Sequence, residues 1–148
     1  MIGPAATFKS INPFFIHMFL PKMLRMLFPR LPGTDRMIQN GLVWMRAGLP
    51  VNEAWEKLFY LCMRDGGATN QLFPHVYKQE DLDRIHTPTL LLVGDREKIY
   101  DPKTVIRHAK KAIPGIRTEI IPDAHHITAL ANPTVVNQRI DEFIRSIL

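Results

Sequence analysis

Cysteine is nearly absent: Cys62 is the one thiol in 148 residues, which excludes an internal disulfide and a thiolate metal cluster and suits a reducing, cytoplasmic compartment. Serine is almost as scarce. Ser10 in Phe8-Lys-Ser-Ile11 and Ser146 in Ile144-Arg-Ser-Ile147 are the two present, and neither lies in a G-x-S-x-G elbow, the strand-to-helix turn that exposes a nucleophilic hydroxyl. No two of the eight glycines stand four residues apart, so a Cys or Asp version of that elbow is excluded as well. Long hydrophobic runs are also missing. The most apolar stretch, Phe14 to Phe28, is interrupted by His17, Pro21, Lys22 and Arg25, short of the roughly 20 apolar residues that a membrane span needs. Met1 to Phe8 has no charged segment leading into a long apolar core and does not read as a signal peptide. The formal charge of +5 comes from scattered Lys and Arg rather than a basic block with interleaved aromatics, so no nucleic-acid partner is expected.

What is present is a globular composition, 46% hydrophobic and 22% charged, with enough length for one buried core. Two textures divide the chain. From Pro13 to about Met63 apolar residues recur at helical spacing: Phe14, Phe15, Met18 and Phe19, then Met23, Leu24, Leu27 and Phe28. Prolines at 13, 21, 29 and 32 are expected to break this stretch into short helices. Thr34 or Asp35 is placed to cap a third helix running to about Ala47, and Asn52 a fourth running to Met63. Gly66-Gly67 opens a loop to about Arg84.

From Ile85 the pattern becomes strand, helix, strand, helix. Thr89-Leu-Leu-Leu-Val93, closed by Gly94, has the continuous apolar character of a strand covered on both faces of a parallel sheet. Asp101-Pro102 starts a helix that Pro114-Gly115 ends; Arg117 to Ile121 is a more polar strand nearer the sheet edge; Asn132-Pro133 starts the last helix, with Val136, Ile140, Phe143, Ile144 and Ile147 as its buried stripe. Two parallel strands alone make a poor sheet, so this half reads as part of a larger one.

The ordered set Ile2-Gly-Pro-Ala-Ala-Thr-Phe8, the helical stretch, Pro88-Thr-Leu-Leu-Leu-Val-Gly94 through Ile99-Tyr-Asp-Pro102, Ile121-Pro-Asp-Ala-His-His126 and Asn132-Pro133 resembles the α/β-hydrolase fold family. The likeness covers essentially the whole chain but corresponds to the last half of the family's domain. It implies an α/β fold class, a partial α/β-hydrolase: residues 1–8 as the end of a core strand, 9–84 as a helical cap, and 85–148 as a β-α-β-α unit of the parallel sheet. It also implies that the part bearing the oxyanion loop and nucleophile lies outside these residues.

Carried over residue by residue, the family's acid falls on Glu97 in the Gly94-x-x-acid turn, with Asp95 as the alternative, and its histidine on His126, with His125 as the alternative. The resemblance gives the acid the role of holding the histidine's tautomer, and the histidine that of general base and then general acid. The plainer readings stay open: turn acids bonded to backbone amides, and two loop imidazoles. Where the family commonly has glycine this chain has His125, so a turn requiring φ > 0 would be distorted. Adjacent histidines without an H-E-x-x-H or cysteine motif argue against a metal, and no cofactor is implied. In the family the cap lines the substrate pocket, which makes Phe14, Phe15, Phe19, Trp44 and Trp55 candidates for substrate contact, against the alternatives of simple core packing or an interfacial helix with Lys22, Arg25 and Arg30. The expectation is the C-terminal portion of a hydrolase of esters or related small substrates, inactive alone. A non-catalytic complementing subunit, self-associating or pairing through an exposed sheet edge, is the alternative, together with a truncated product that has no function of its own.

Overall fold

Residues 1–3, 7–8, 12–66 and 76–148 are described by the computed structural model; Ser10 and residues 67–75 of the expected loop from Gly66 to about Arg84, His75 included, lie outside them. A helical stretch comes first: α1 (Asn12–Phe14), a π-helical turn (Phe15–Phe19), α2 (Leu20–Leu27), α3 (Thr34–Met45) and α4 (Glu53–Asp65). After the short α5 (Gln79–Leu82) the chain alternates through β1 (Leu90–Gly94), α6 (Pro102–Ala112), β2 (Arg117–Ile121), α7 (Thr128–Ala131) and α8 (Pro133–Arg145).

Strands β1 and β2 pair in parallel, Leu90 with Arg117 through Gly94 with Ile121. On the other edge of β1, Leu92 donates its N–H to the Met1 carbonyl at 2.9 Å and accepts from the Gly3 N–H at 3.1 Å. Ile2 therefore forms a parallel bridge with Leu92. Every residue of β1 is buried, whereas in β2 Arg117 and Ile120 are exposed and Ile121 alone is buried. The period-2 alternation of side chains sorts the core into two layers. Leu91 and Val93 pack with Val105, Ala109 and Ile113 and with Ile38, Leu42 and Met45 of the helical stretch. Leu90, Leu92 and Ile121 pack on the opposite face with Val136, Ile140 and Phe143 of α8.

Side-chain capping explains the starts of α4, α6 and α8. The side chains of Asn52, Asp101 and Asn132 accept the backbone N–H of Ala54, Thr104 and Val135 respectively, and Pro102 and Pro133 open the first turns of α6 and α8. Two expectations are corrected. Neither Thr34 nor Asp35 caps α3: the cap is Gly33 at φ 85°, and the Thr34 hydroxyl instead turns back to the Leu31 carbonyl at 3.2 Å. Pro21 does not end a helix either. The turn before it widens to π geometry, Leu20 donating five residues back to Phe15, so the missing N–H and the ring of Pro21 are absorbed and the helical run continues to Leu27.

Candidate active site

Both candidate residues sit just beyond the carboxyl ends of strands, and the two strands are neighbours. β1 turns at Asp95 and Arg96 into Glu97; β2 turns at Pro122 and Asp123 into His125 and His126. Parallel pairing brings these two exits side by side, so residues 29 apart in sequence meet: His126 Nδ1 lies 2.7 Å from Glu97 Oε2. The second oxygen, Glu97 Oε1, accepts the Ile99 N–H at 2.8 Å. The carboxylate is completely buried while the imidazole keeps a 16% exposed edge. A carboxylate bonded at Nδ1 holds the ring proton there and leaves Nε2 free to take a proton.

The loops are held close by two glycines. A Cβ at Gly94 would fall 2.1 Å from the Ala124 carbonyl oxygen and 2.8 Å from that of His125, so the histidine loop lies directly on the end of β1. Gly3, at φ +53°, lies under the His126 carbonyl, where a Cβ would come within 2.5 Å of the oxygen. Asp95 has a different role from Glu97: its Oδ1 accepts the Ala124 N–H at 3.1 Å and secures the loop backbone. Arg96 lies 3.7 Å from both Asp95 and Asp123.

His125 does not take a positive φ; Asp123, at φ 49°, does, so the turn accommodates a histidine before His126. His125 is fully buried, lies against residues of α3 and α4, and accepts the Ile127 N–H at Nδ1. Burial first, then the nearby charges of His126 and Arg46, hold its imidazole below the usual 6.5, with Glu97 opposing. Tyr100 meets the His126 ring edge-on at 6.1 Å. Burial, and then the Glu97 carboxylate, push its phenol well above the ordinary value. Its hydroxyl has no hydrogen-bond partner of acceptable geometry, although its closeness to Glu97 contributes to that rise.

His126 borders a cavity of about 460 Å³ whose wall includes Phe14, Met45, Phe59, Ile99 and Ile127. Of the five aromatics named from the sequence, Phe14 lines it. Phe15 is exposed and packs against Phe19; Trp44 stacks on His17 at 4.2 Å; Trp55 is exposed beside Phe59. Met45, Phe59, Ile99 and Ile127 carried no sequence signal that separated them from ordinary core residues. Among the described residues no hydroxyl or thiol is hydrogen-bonded to His126: Thr128 Oγ1 donates to the His125 carbonyl, Ser146 Oγ to Phe143, and Cys62 is exposed on α4. Among the described residues no cluster of three or more His, Cys, Asp or Glu could hold a metal, and no helix is long and apolar enough to cross a membrane.

No family model matches the chain. A carboxylesterase of Bacillus subtilis (strain 168) called nap, itself uncharacterised, is 38% identical over 74 residues, 50% of this chain and 25% of its own length. Carboxylesterase YbfK of the same organism is 36% identical over 76 residues, 51% of this chain and 26% of its own. Among solved structures, the naproxen esterase (carboxylesterase NP) of Bacillus subtilis superposes with a TM-score of 0.73 at 27% identity, covering 97% of this chain and 49% of that one. The matches thus span about a quarter of the curated relatives and about half of the solved structure.

Proposed function

Starting from a chain that has the α/β-hydrolase fold over about half the length of its solved neighbours, we propose that it is the portion of an esterase that carries the acid and the histidine. In this reading Glu97 accepts the Nδ1 proton of His126, and His126 Nε2 removes the proton from a hydroxyl nucleophile supplied by a segment outside these 148 residues. The freed oxygen attacks the ester carbonyl, and His126 returns the proton to the departing alcohol. Residues 1–8 serve as the end of a core strand, 9–84 as the cap and 85–148 as the C-terminal part of the core. Single thiol Cys62 fits a cytoplasmic setting.

The observation that carries this reading is the 2.7 Å contact between His126 Nδ1 and a carboxylate with no solvent exposure, at the rim of an apolar cavity. The carboxylesterase relatives support a carboxylic ester as the substrate class, and the apolar wall of the cavity suits an apolar group on it. With no hydroxyl or thiol hydrogen-bonded to His126 among the described residues, the chain by itself should hydrolyse p-nitrophenyl esters at background rate. Co-expressed with the N-terminal half of a carboxylesterase it should give a complex whose hydrolysis disappears in His126→Ala. Turnover by the isolated chain that depends on His126 would overturn the reading.

A complementing subunit without catalysis of its own is favoured by two features. Ile16, Leu20, Met23 and Leu27 form an apolar row along the helical run, each 43% or more exposed, and the Met1–Gly3 edge of the sheet pairs only with β1 among the described residues. Light scattering on the eluting chain separates the cases: a monodisperse, cooperatively unfolding monomer counts against a docking role, and a defined complex without esterase activity counts for it.

A further inference from the structure

A third polar side chain is enclosed with Glu97 and His126: the phenol of Tyr100. Its ring meets the His126 imidazole edge-on, with 6.1 Å between centroids and 80° between planes, and the residue is 6% exposed. It is not part of the cavity wall that His126 borders, so a substrate contact does not account for it. Its hydroxyl is sealed from solvent and makes no hydrogen bond of acceptable geometry.

Glu97 has the complementary gap. Its side chain has no solvent exposure, Oε1 accepts the Ile99 N–H and Oε2 faces His126 Nδ1. An ionised carboxylate has about four lone-pair sites, and those two contacts are its hydrogen bonds among the described residues. A buried charge is tolerable only where donors replace the water that it has lost. The bond from Ile99 also fixes the backbone just before Tyr100 against the carboxylate. After burial, the Glu97 carboxylate, by its charge and as a nearby acceptor, is what holds the phenol in its protonated form.

We propose that Tyr100 is a positioning residue for the pair, its hydroxyl donating a further hydrogen bond to the Glu97 carboxylate while its ring braces the His126 imidazole. A small turn of the side chain brings a donor without an acceptor onto an acceptor with room for one. Were the hydroxyl to stay unpaired it would be desolvated without compensation, and phenylalanine would fill the same space as well. The importance of this contact for proton transfer rests on the esterase reading above; the contact itself does not.

A carboxylate shared among three donors holds each less strongly than one shared between two, and this gives the test. In proton and nitrogen-15 spectra of the labelled wild-type chain, the Tyr100 hydroxyl proton is expected as a slowly exchanging resonance downfield of a free phenol, with cross-peaks to the Glu97 methylene protons. Tyr100→Phe keeps the ring against His126 and removes the donor, so the His126 Nδ1 proton should move downfield as its bond to Glu97 strengthens. In Glu97→Gln the hydroxyl proton should move upfield, because a neutral acceptor replaces a charged one. A hydroxyl proton at the free-phenol position or lost to exchange, or a His126 Nδ1 proton unmoved in Tyr100→Phe, would make Tyr100 mere packing and overturn the proposal. Should Tyr100→Phe fail to fold, the wild-type hydroxyl resonance and its response in Glu97→Gln decide the matter. No readout uses hydrolysis: failure of the esterase reading would leave these signals intact, and an unbonded hydroxyl would leave the His126-dependent hydrolysis test standing.

Discussion

Replacing Glu97 with Gln separates the stability of the buried pair from its chemistry. The carboxylate accepts two hydrogen bonds, from Ile99 N–H at 2.8 Å and from His126 Nδ1 at 2.7 Å. The Ile99 N–H cannot be moved, so it fixes the Gln carbonyl oxygen on its side and turns the amide NH2 towards His126. An amide donor facing Nδ1 forces the imidazole proton to Nε2. Both buried contacts survive as neutral hydrogen bonds, so the loss is the difference between charged and neutral bonds, about 1–2 kcal/mol, or roughly 5- to 30-fold in the folding equilibrium. The chemical consequence is far larger, because Nε2 now carries the proton that it should be free to take. Activity of the complemented enzyme should fall by about 10⁴. Urea unfolding gives the first quantity, ester hydrolysis of the complex the second, and imidazole nitrogen-15 shifts the tautomer that links them. Retention of the Nδ1–H tautomer in Glu97→Gln would refute the reasoning, as would an equal activity loss in Asp95→Asn, since Asp95 bonds the Ala124 N–H and not the ring.

Gly94→Ala should destabilise the chain by roughly 3 kcal/mol, read from urea midpoints, because its methyl would meet the Ala124 and His125 carbonyls, which are backbone and cannot swing aside. Asn132→Ala should cost about 1–2 kcal/mol: its side chain both caps α8 and donates to the Pro122 carbonyl at 3.2 Å. For His125, burial lowers the folded-state pKa below 6.5; the unfolded chain therefore binds the proton first as pH falls, and stability, complete above about 6.5, declines below it towards the folded value. His125→Gln, which keeps a donor near Nε2 and cannot titrate, should flatten that decline in unfolding curves measured across this pH range. Phe59→Ala, at the cavity wall, should raise KM of the complemented enzyme for bulky apolar esters more than for acetate esters.

How much of this was legible in the sequence depended on whether the signal was local. Asn52, Asp101 and Asn132 announce helix starts because a cap is a contact between residues two or three apart. The run at β1 announces a strand buried on both faces because nothing polar interrupts it. Gly33 gave no such sign, as a glycine cap contributes conformation and no side-chain bond, and Pro21 misled because a π turn five residues long relieved it. The meeting of Glu97 and His126 was readable only as an order along the chain, acid after one strand and histidine after the next. Met45, Phe59, Ile99 and Ile127 could not be read as cavity wall: they come from α3, α4 and two loops, and only the packing of α3 and α4 over the strand ends brings them together. The resemblance pointed to Phe14, Phe15, Phe19, Trp44 and Trp55, of which Phe14 lines the cavity, while Phe15 packs on Phe19, Trp44 on His17 and the core, and Trp55 on Phe59.

The histidine loop is gripped from three sides by groups of this chain. Gly94 lies beneath it, leaving no room for a side chain between β1 and the Ala124 carbonyl. Asp95 holds its backbone at Ala124 while Arg96 N–H donates to the Ala124 carbonyl at 2.9 Å. His125 anchors it inside, with Thr128 Oγ1 on the His125 carbonyl. None of these ties involves a nucleophile, and together they leave His126 one ring edge open beside the cavity. An acid and a histidine fixed in this way need no rearrangement when a hydroxyl arrives from another segment, and preorganisation of that kind is what makes proton transfer efficient. The consequence is specific: complementation should leave the His126 and Glu97 resonances close to their positions in the isolated chain, while those of Met1–Gly3 and the exposed apolar row at Ile16, Leu20, Met23 and Leu27 move. Large shifts at Glu97 and His126 on complex formation would mean that the pair is assembled by the partner and not by the fold of this chain.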